Sequence, residues 1–229
     1  MLADLTRVLD TAASDPANSQ TLRQAVVEGN VLGKKTERTR VASWQRLSRL
    51  YGLGEPNRIT FLHLWHLAPA ARPQLALFRA LERDALLRIS APWVVALRPG
   101  EAAKPAELAA KLIHLGVQYS DKTLRSISQN LLSSWTQAGW LRGKVAKQRV
   151  DISWHPAAAA YLLREAYLCG LRGAGLYSTP LADLLGLEAE MLDALAFAAS
   201  QERLLSYRRL ADVVEITFPG WNRAEAVST

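Results

Sequence analysis

Residues 120–152 set amide, hydroxyl and cationic side chains at helical spacing and follow them at once with a short basic hairpin pattern. At about 100° per residue, Lys122, Arg125, Ser126, Gln129, Ser133 and Thr136 share one side of a helix over residues 121–138. Leu124, Ile127, Leu131 and Trp135 share the other. Beyond Asp121 the polar side holds no acid, where an ordinary solvated face mixes Glu with Lys for i,i+4 pairing. Such donors bind phosphate oxygens and the edges of bases. The chemistry on offer is recognition of a polyanion.

The elements that must position these groups follow from local signals. Ser120 is placed to cap the helix, Asp121 sits at the positive end of its dipole, and Gly139 can supply the left-handed residue that stops it. Upstream, residues 105–115 read as a helix with Pro105 near its first turn and a stop at Gly116. Downstream, Trp140 and Leu141 anchor one strand and Val150 and Ile152 alternate on the next. Arg142, Lys144, Lys147 and Arg149 lie between. Two helices and a basic hairpin predict a winged helix-turn-helix with double-stranded DNA as its partner. Lys122, Arg125, Ser126 and Gln129 are expected nearest the groove, with Arg125 or Gln129 able to read a guanine or adenine edge. Lys144, Lys147 and Arg149 are expected on flanking phosphate. The competing reading is a solvated protein–protein module. With one such helix per chain, strong sequence specificity requires a dimer or a partner, so largely non-specific binding is expected and a homo-oligomer is possible.

The charge is unevenly spread. The chain has 229 residues and a formal net charge of +7. Residues 34–58 carry +5 and residues 104–149 carry +6, while the remainder is −4. Two basic segments are the electrostatic footprint of a polyanion-binding protein. The first contains a helix over residues 36–51, with Val41, Trp44, Leu47 and Tyr51 on its apolar side and Lys35, Arg38, Arg46 and Arg49 opposite. Lys34, Lys35 and Arg38 therefore join the candidate DNA contacts. The same face suits structured RNA, as in an antitermination-like protein, or the acidic partner of a scaffold, and it equally fits a solvated surface.

The length suits two modest domains or three very small ones. The expected organisation is mainly α: an N-terminal helical bundle over residues 1–100, the winged helix-turn-helix over 101–155, and C-terminal helices ending in a β-hairpin over 156–229. Breaks within the bundle fall at Asp15-Pro16, Gly29-Asn30 and residues 52–56 and 69–73. In the last third, a helix over residues 157–168 runs into a glycine-rich flexible turn at 170–175. That turn lacks the order of a phosphate loop. Thr179-Pro180 opens a helix that Gly186 breaks, a second helix covers residues 188–202, and two strands, 204–207 and 213–218, flank Arg208-Arg209. Helix, turn, helix and hairpin thus occur twice. The second copy carries Asp183, Glu188, Glu190 and Asp193, which suits a packing or partner-binding module better than a second DNA reader.

Little points to catalysis. His63 and His66 lie three apart on one helix but have no Cys, Asp or Glu beside them to complete a metal site, so they read as partly buried structural groups. The single cysteine, Cys169, excludes an internal disulfide and reads as a small core residue. No nucleophile elbow, zinc-protease or Walker motif occurs. The expectation is a non-enzymatic protein without cofactor or metal. No signal-peptide pattern or run of about 18–20 apolar residues is present, so a soluble cytoplasmic protein without membrane contact is expected.

Three stretches carry a resemblance to a known family. They are Val26-Val27-Glu28-Gly29-Asn30-Val31-Leu32 with Lys34, Thr36, Thr39 and Arg40, then residues 120–125, then residues 131–141. Together they resemble the BrxA family, small proteins of the BREX bacteriophage-defence systems. The resemblance spans most of the chain through helix-boundary and core patterns, without a catalytic signature. It implies a NusB-like N-terminal bundle, a winged-helix region, and binding of double-stranded DNA as a non-enzymatic component alongside other defence-system proteins. The chain is longer at its C-terminal side than a minimal member, which leaves the role of residues 178–229 open.

Overall fold

Helix ends fall where capping chemistry puts them. In the computed structural model, which describes residues 1–11, 18–55 and 59–221, the chain is mainly helical with two small antiparallel hairpins. The expected breaks at Asp15-Pro16 and Pro56, with Arg58, lie outside the described residues. Helices α1 (Leu2–Thr11), α2 (Ser19–Val27), α3 (Glu37–Tyr51), α4 (Ile59–Leu67), α5 (Arg72–Arg83) and α6 (Ala85–Ala96) come first. Thr36 and Thr39 form a reciprocal capping box at the start of α3, and Gly52 closes that helix in the left-handed region at φ 61°. Trp44, Leu47 and Tyr51 are buried, and Val41 is half-buried beside them.

The central elements are α7 (Pro105–His114), α8 (Asp121–Gln137), β1 (Leu141–Arg142) and β2 (Gln148–Arg149). The Ser120 hydroxyl accepts from the Thr123 amide at 3.4 Å, and Gly139 ends the helix at φ 83°. One feature has no counterpart in the sequence pattern. Residues 100–103 run antiparallel to β2: the Gly100 amide donates to the Arg149 carbonyl at 2.8 Å, Arg149 to Glu101 at 2.9 Å, and Ala103 to Lys147 at 2.8 Å. The hairpin is thereby stitched to the chain leaving α6.

The last third consists of α9 (Pro156–Leu168), a 3₁₀ turn (Gly173–Tyr177), α10 (Pro180–Leu185), α11 (Ala189–Gln201), β3 (Ser206–Leu210) and β4 (Val213–Thr217). Three expectations need correction. The flexible turn is partly a 3₁₀ helix, because Leu176 and Tyr177 are buried and draw the glycine stretch onto the core. Arg208 and Arg209 lie inside β3. The turn falls after Leu210, where Ala211 adopts φ 52°. Cys169 is exposed, since it caps α9 after the helix has left the core at Leu168.

Buried apolar residues from Leu5 to Trp221 form one contiguous cluster. Helix α9 lies within it, with Ala157, Ala158, Ala159 and Ala160 all buried, and it packs on α4, α5 and α11. A polar network crosses the α5–α9 contact. The Arg79 side chain is 1% exposed, bonds Glu82 at 3.0 Å through Nη1 and donates from Nε to the Tyr51 carbonyl. The Tyr161 hydroxyl donates to the other Glu82 oxygen at 2.9 Å. Burial pushes the Glu82 carboxyl up despite Arg79 and Tyr161, and burial pushes Tyr161 well above the ordinary phenol range. Nearby, Arg83 pairs with Glu55.

A second polar focus holds the C-terminal hairpin. Asp193 of α11 accepts from the Tyr177 hydroxyl at 2.6 Å, the Tyr207 hydroxyl at 2.8 Å and the Arg209 guanidinium at 2.6 Å. Burial alone would raise this carboxyl, but the two hydroxyls and Arg209 outweigh it and hold it below its usual range. A depressed carboxyl contributes stability that is present above the unfolded pKa and is lost as pH falls through the folded one. Asp193→Asn should therefore lower the melting temperature at pH 7, and the difference from the parent should shrink once pH drops below about 4. Thermal melts of both proteins at pH 7 and at about pH 3 check this. A gap that is constant with pH would mean that the charge on Asp193 contributes nothing.

Candidate nucleic-acid interface

Helix α8 is fixed from its inner side. The Trp135 indole donates to the Ser90 hydroxyl of α6 at 2.9 Å, and Ser90 in turn donates to the Leu87 carbonyl. Leu124, Ser128, Leu131 and Leu132 are buried with Trp135. This anchoring turns Lys122, Arg125, Ser126 and Gln129 outward, all exposed. Ser133 is half-buried, and its hydroxyl accepts from Gln137 at 3.3 Å. A helix anchored in this way presents its donor-rich face in one fixed geometry.

The hairpin divides into a free half and a tethered half. Arg142 and Lys144 are exposed, as is Val145 between them and Lys147. Gly143 makes the bend at φ 114°, where a Cβ would overlap the Ala146 carbonyl oxygen, so only glycine fits. Lys147 and Arg149 turn back towards the protein. Lys147 Nζ donates to the Thr136 hydroxyl at 3.2 Å. Arg149 lies 4.6 Å over the Trp140 ring and donates to the Val150 carbonyl, and burial lowers its pKa. Trp140 is packed edge-on against Trp135 and Trp154. The guanidinium carbon thus sits over the indole in a cation–π contact of about 0.5–2 kcal/mol.

The α3 residues lie on another element. Lys34 is half-buried and bonds Asp4 at 3.3 Å, which occupies its charge. Lys35 and Arg38 are exposed at the start of α3, with Arg46 and Arg49 exposed further along. Two residues that the sequence pattern passed over also bear on the surface. Asn130 is exposed one turn beyond Ser126, and the i,i+4 spacing was the available signal. Tyr119, 56% exposed, stands just before the Ser120 cap.

His66 is half-buried as expected, whereas His63 is exposed because α4 turns it to the surface, where one side of its ring rests on Trp221 at 4.8 Å; the partial loss of water lowers the pKa of both. Among the described residues no three His, Cys, Asp or Glu side chains gather as a metal site, and no helix is long and apolar enough to cross a membrane. The chain matches no protein-family model, no curated protein and no solved structure.

Proposed function

We propose that this protein is a non-enzymatic double-stranded DNA-binding protein whose α8 enters a major groove while the β1–β2 hairpin lies against phosphate. The run from α6 through residues 100–103, α7, α8 and the hairpin is read as a winged helix-turn-helix, and the run from α9 to β4 as a second unit of the same order. One observation carries the reading. Lys122, Arg125, Arg142, Lys144, Lys147 and Arg149 share one helix–hairpin unit, and none of them makes an ion pair among the described residues. Unpaired cations around a rigid donor-rich helix are what phosphate neutralisation uses. Lys122, Arg125, Ser126 and Gln129 take the groove side and Arg142 and Lys144 the backbone. Lys147 and Arg149 would have to leave Thr136 and Trp140 to join them.

The place of this activity in a BREX-type defence system, the NusB-like character of the first helices, and partnership with other defence proteins rest on the BrxA resemblance alone. A second reading, structured RNA on α3, is favoured by the exposed Arg38, Arg46 and Arg49 on that helix, with exposed Lys35 just before its Thr36 cap.

Fluorescence anisotropy of a random duplex between about 50 and 200 mM salt tests the proposal. The expected result is a log–log slope of about −0.9 per neutralised phosphate, summing to several contacts. Matched duplex RNA should compete poorly, since its narrow major groove excludes a helix. Absence of duplex binding at the lowest salt would sink the DNA reading, and stronger competition by RNA would favour α3.

A further inference from the structure

The pairing of residues 100–103 with β2 decides which side of the hairpin can meet a partner. In antiparallel strands, residues directly opposite one another share a face, and their neighbours along each strand take the other. Gln148 stands opposite Arg142 on one side and opposite Ala102 on the other. The three form one row across a narrow three-stranded sheet, and all are exposed. Lys147, Arg149, Leu141 and Ala103 fall on the opposite face. There Leu141 and Ala103 are buried, and Thr136 and Trp140 engage the two cations. A hairpin of two two-residue strands is marginal by itself. Backbone pairing of β2 on both sides fixes which face looks outward.

We propose that this outward row is a phosphate-contacting surface with Arg142 and Gln148 as its donors, and that Lys147 and Arg149 belong to the frame and do not touch nucleic acid. The partner is the sugar–phosphate backbone of a duplex held by α8, so the row rests on that binding. Arg142 makes no ion pair and the Gln148 amide no hydrogen bond among the described residues, which leaves both groups available. Amide and guanidinium donors both serve as phosphate ligands. Ala102 adds only a methyl group, which lets a backbone approach the sheet closely. The one acid in these paired segments, Glu101, lies on the other face, where its carboxylate accepts from the Arg98 amide at 2.9 Å and meets the Arg98 side chain at 3.8 Å.

Anisotropy titrations of the full chain with a random duplex at several salt concentrations distinguish the two faces. Gln148→Ala should weaken binding about five- to tenfold with the salt slope unchanged, because an amide neutralises no phosphate. Arg142→Ala should weaken binding and also lower the slope by about 0.9. Ala102→Glu sets a carboxylate into the row and should weaken binding at least as much as Arg142→Ala. Lys147→Gln should bind as the parent does. Thermal melts of the same preparations should match the parent, since the replaced groups lie outside the core. Parent affinity in both Gln148→Ala and Ala102→Glu, or a loss in Lys147→Gln as large as in Arg142→Ala, overturns the proposal. A chain that loses the duplex with Lys122→Ala and Arg125→Ala but not with the sheet variants keeps α8 as the binding helix and ends the proposal alone. A parent that binds no duplex ends both.

Discussion

Replacing both Lys122 and Arg125 with alanine is expected to weaken binding to a random duplex by more than about tenfold near 100 mM salt and to flatten the salt dependence. Each neutralised phosphate contributes about 0.9 to the slope, so the slope falls by about 0.9 for each of the two groove-side cations that also meets a phosphate at the groove edge. If Arg125 also reads a guanine edge, discrimination at that base pair falls by a further 1–3 kcal/mol or so. Both side chains are exposed and neither makes an ion pair among the described residues, so stability should shift by no more than about 0.5 kcal/mol. Anisotropy titrations at three or four salt concentrations, beside thermal melts of the same preparations, separate the two effects. Unaltered affinity would remove this face of α8 as the binding surface. A parallel fall in melting temperature would instead point to damage at the Ser120 cap.

The largest stability effect should come from Arg79→Ala. Arg79 is buried between the Tyr51 carbonyl, Glu82 and the Phe61 ring, and its removal leaves Glu82 half-buried with only the Tyr161 hydroxyl for company. Breaking one side of such a pair costs about 3–5 kcal/mol, most of it the desolvation of the abandoned partner. Replacing both members, as Arg79→Met with Glu82→Leu, should cost less, because the Glu82 charge is then not stranded, although Tyr161 loses its acceptor and Glu55 its 3.9 Å contact with Arg79. Urea denaturation of the three proteins measures the difference. A single-variant loss under about 1 kcal/mol would show that water reaches Glu82 and solvates it in place of Arg79.

Much of the central unit was legible because its signals are local. Ser120, Gly139 and the stripe Leu124, Leu131 and Trp135 mark α8 to within a residue, since capping and 3.6-residue periodicity act within a few positions. The same holds for Thr36 and Gly52 around α3. What escaped depends on contacts distant in sequence. The pairing of residues 100–103 with β2 is too short to leave an alternating pattern. The inward turn of Lys147 and Arg149 is set by Thr136 and Trp140, which the hairpin pattern does not name. Cys169 reads as core by residue type, but the end of α9 carries it out. The position of Arg208 and Arg209 was missed because Ala211, with no glycine or asparagine to announce it, takes the left-handed turn residue.

A bridge between α5 and the chain entering α9 ties the α8–hairpin unit to the rest of the fold. Gln74 of α5 donates to the Ser153 carbonyl and accepts from the His155 amide, while Phe78 stacks on Trp154. Trp154 in turn meets Trp140 at the root of the hairpin, and Trp135 reaches back to Ser90. An excised fragment of residues 101–155 would carry these indoles and lose the partners that cover them. The helix–hairpin unit is thus not autonomous: it borrows its floor from helices on either side, and whatever melts α5 or α9 dissolves α8 with it.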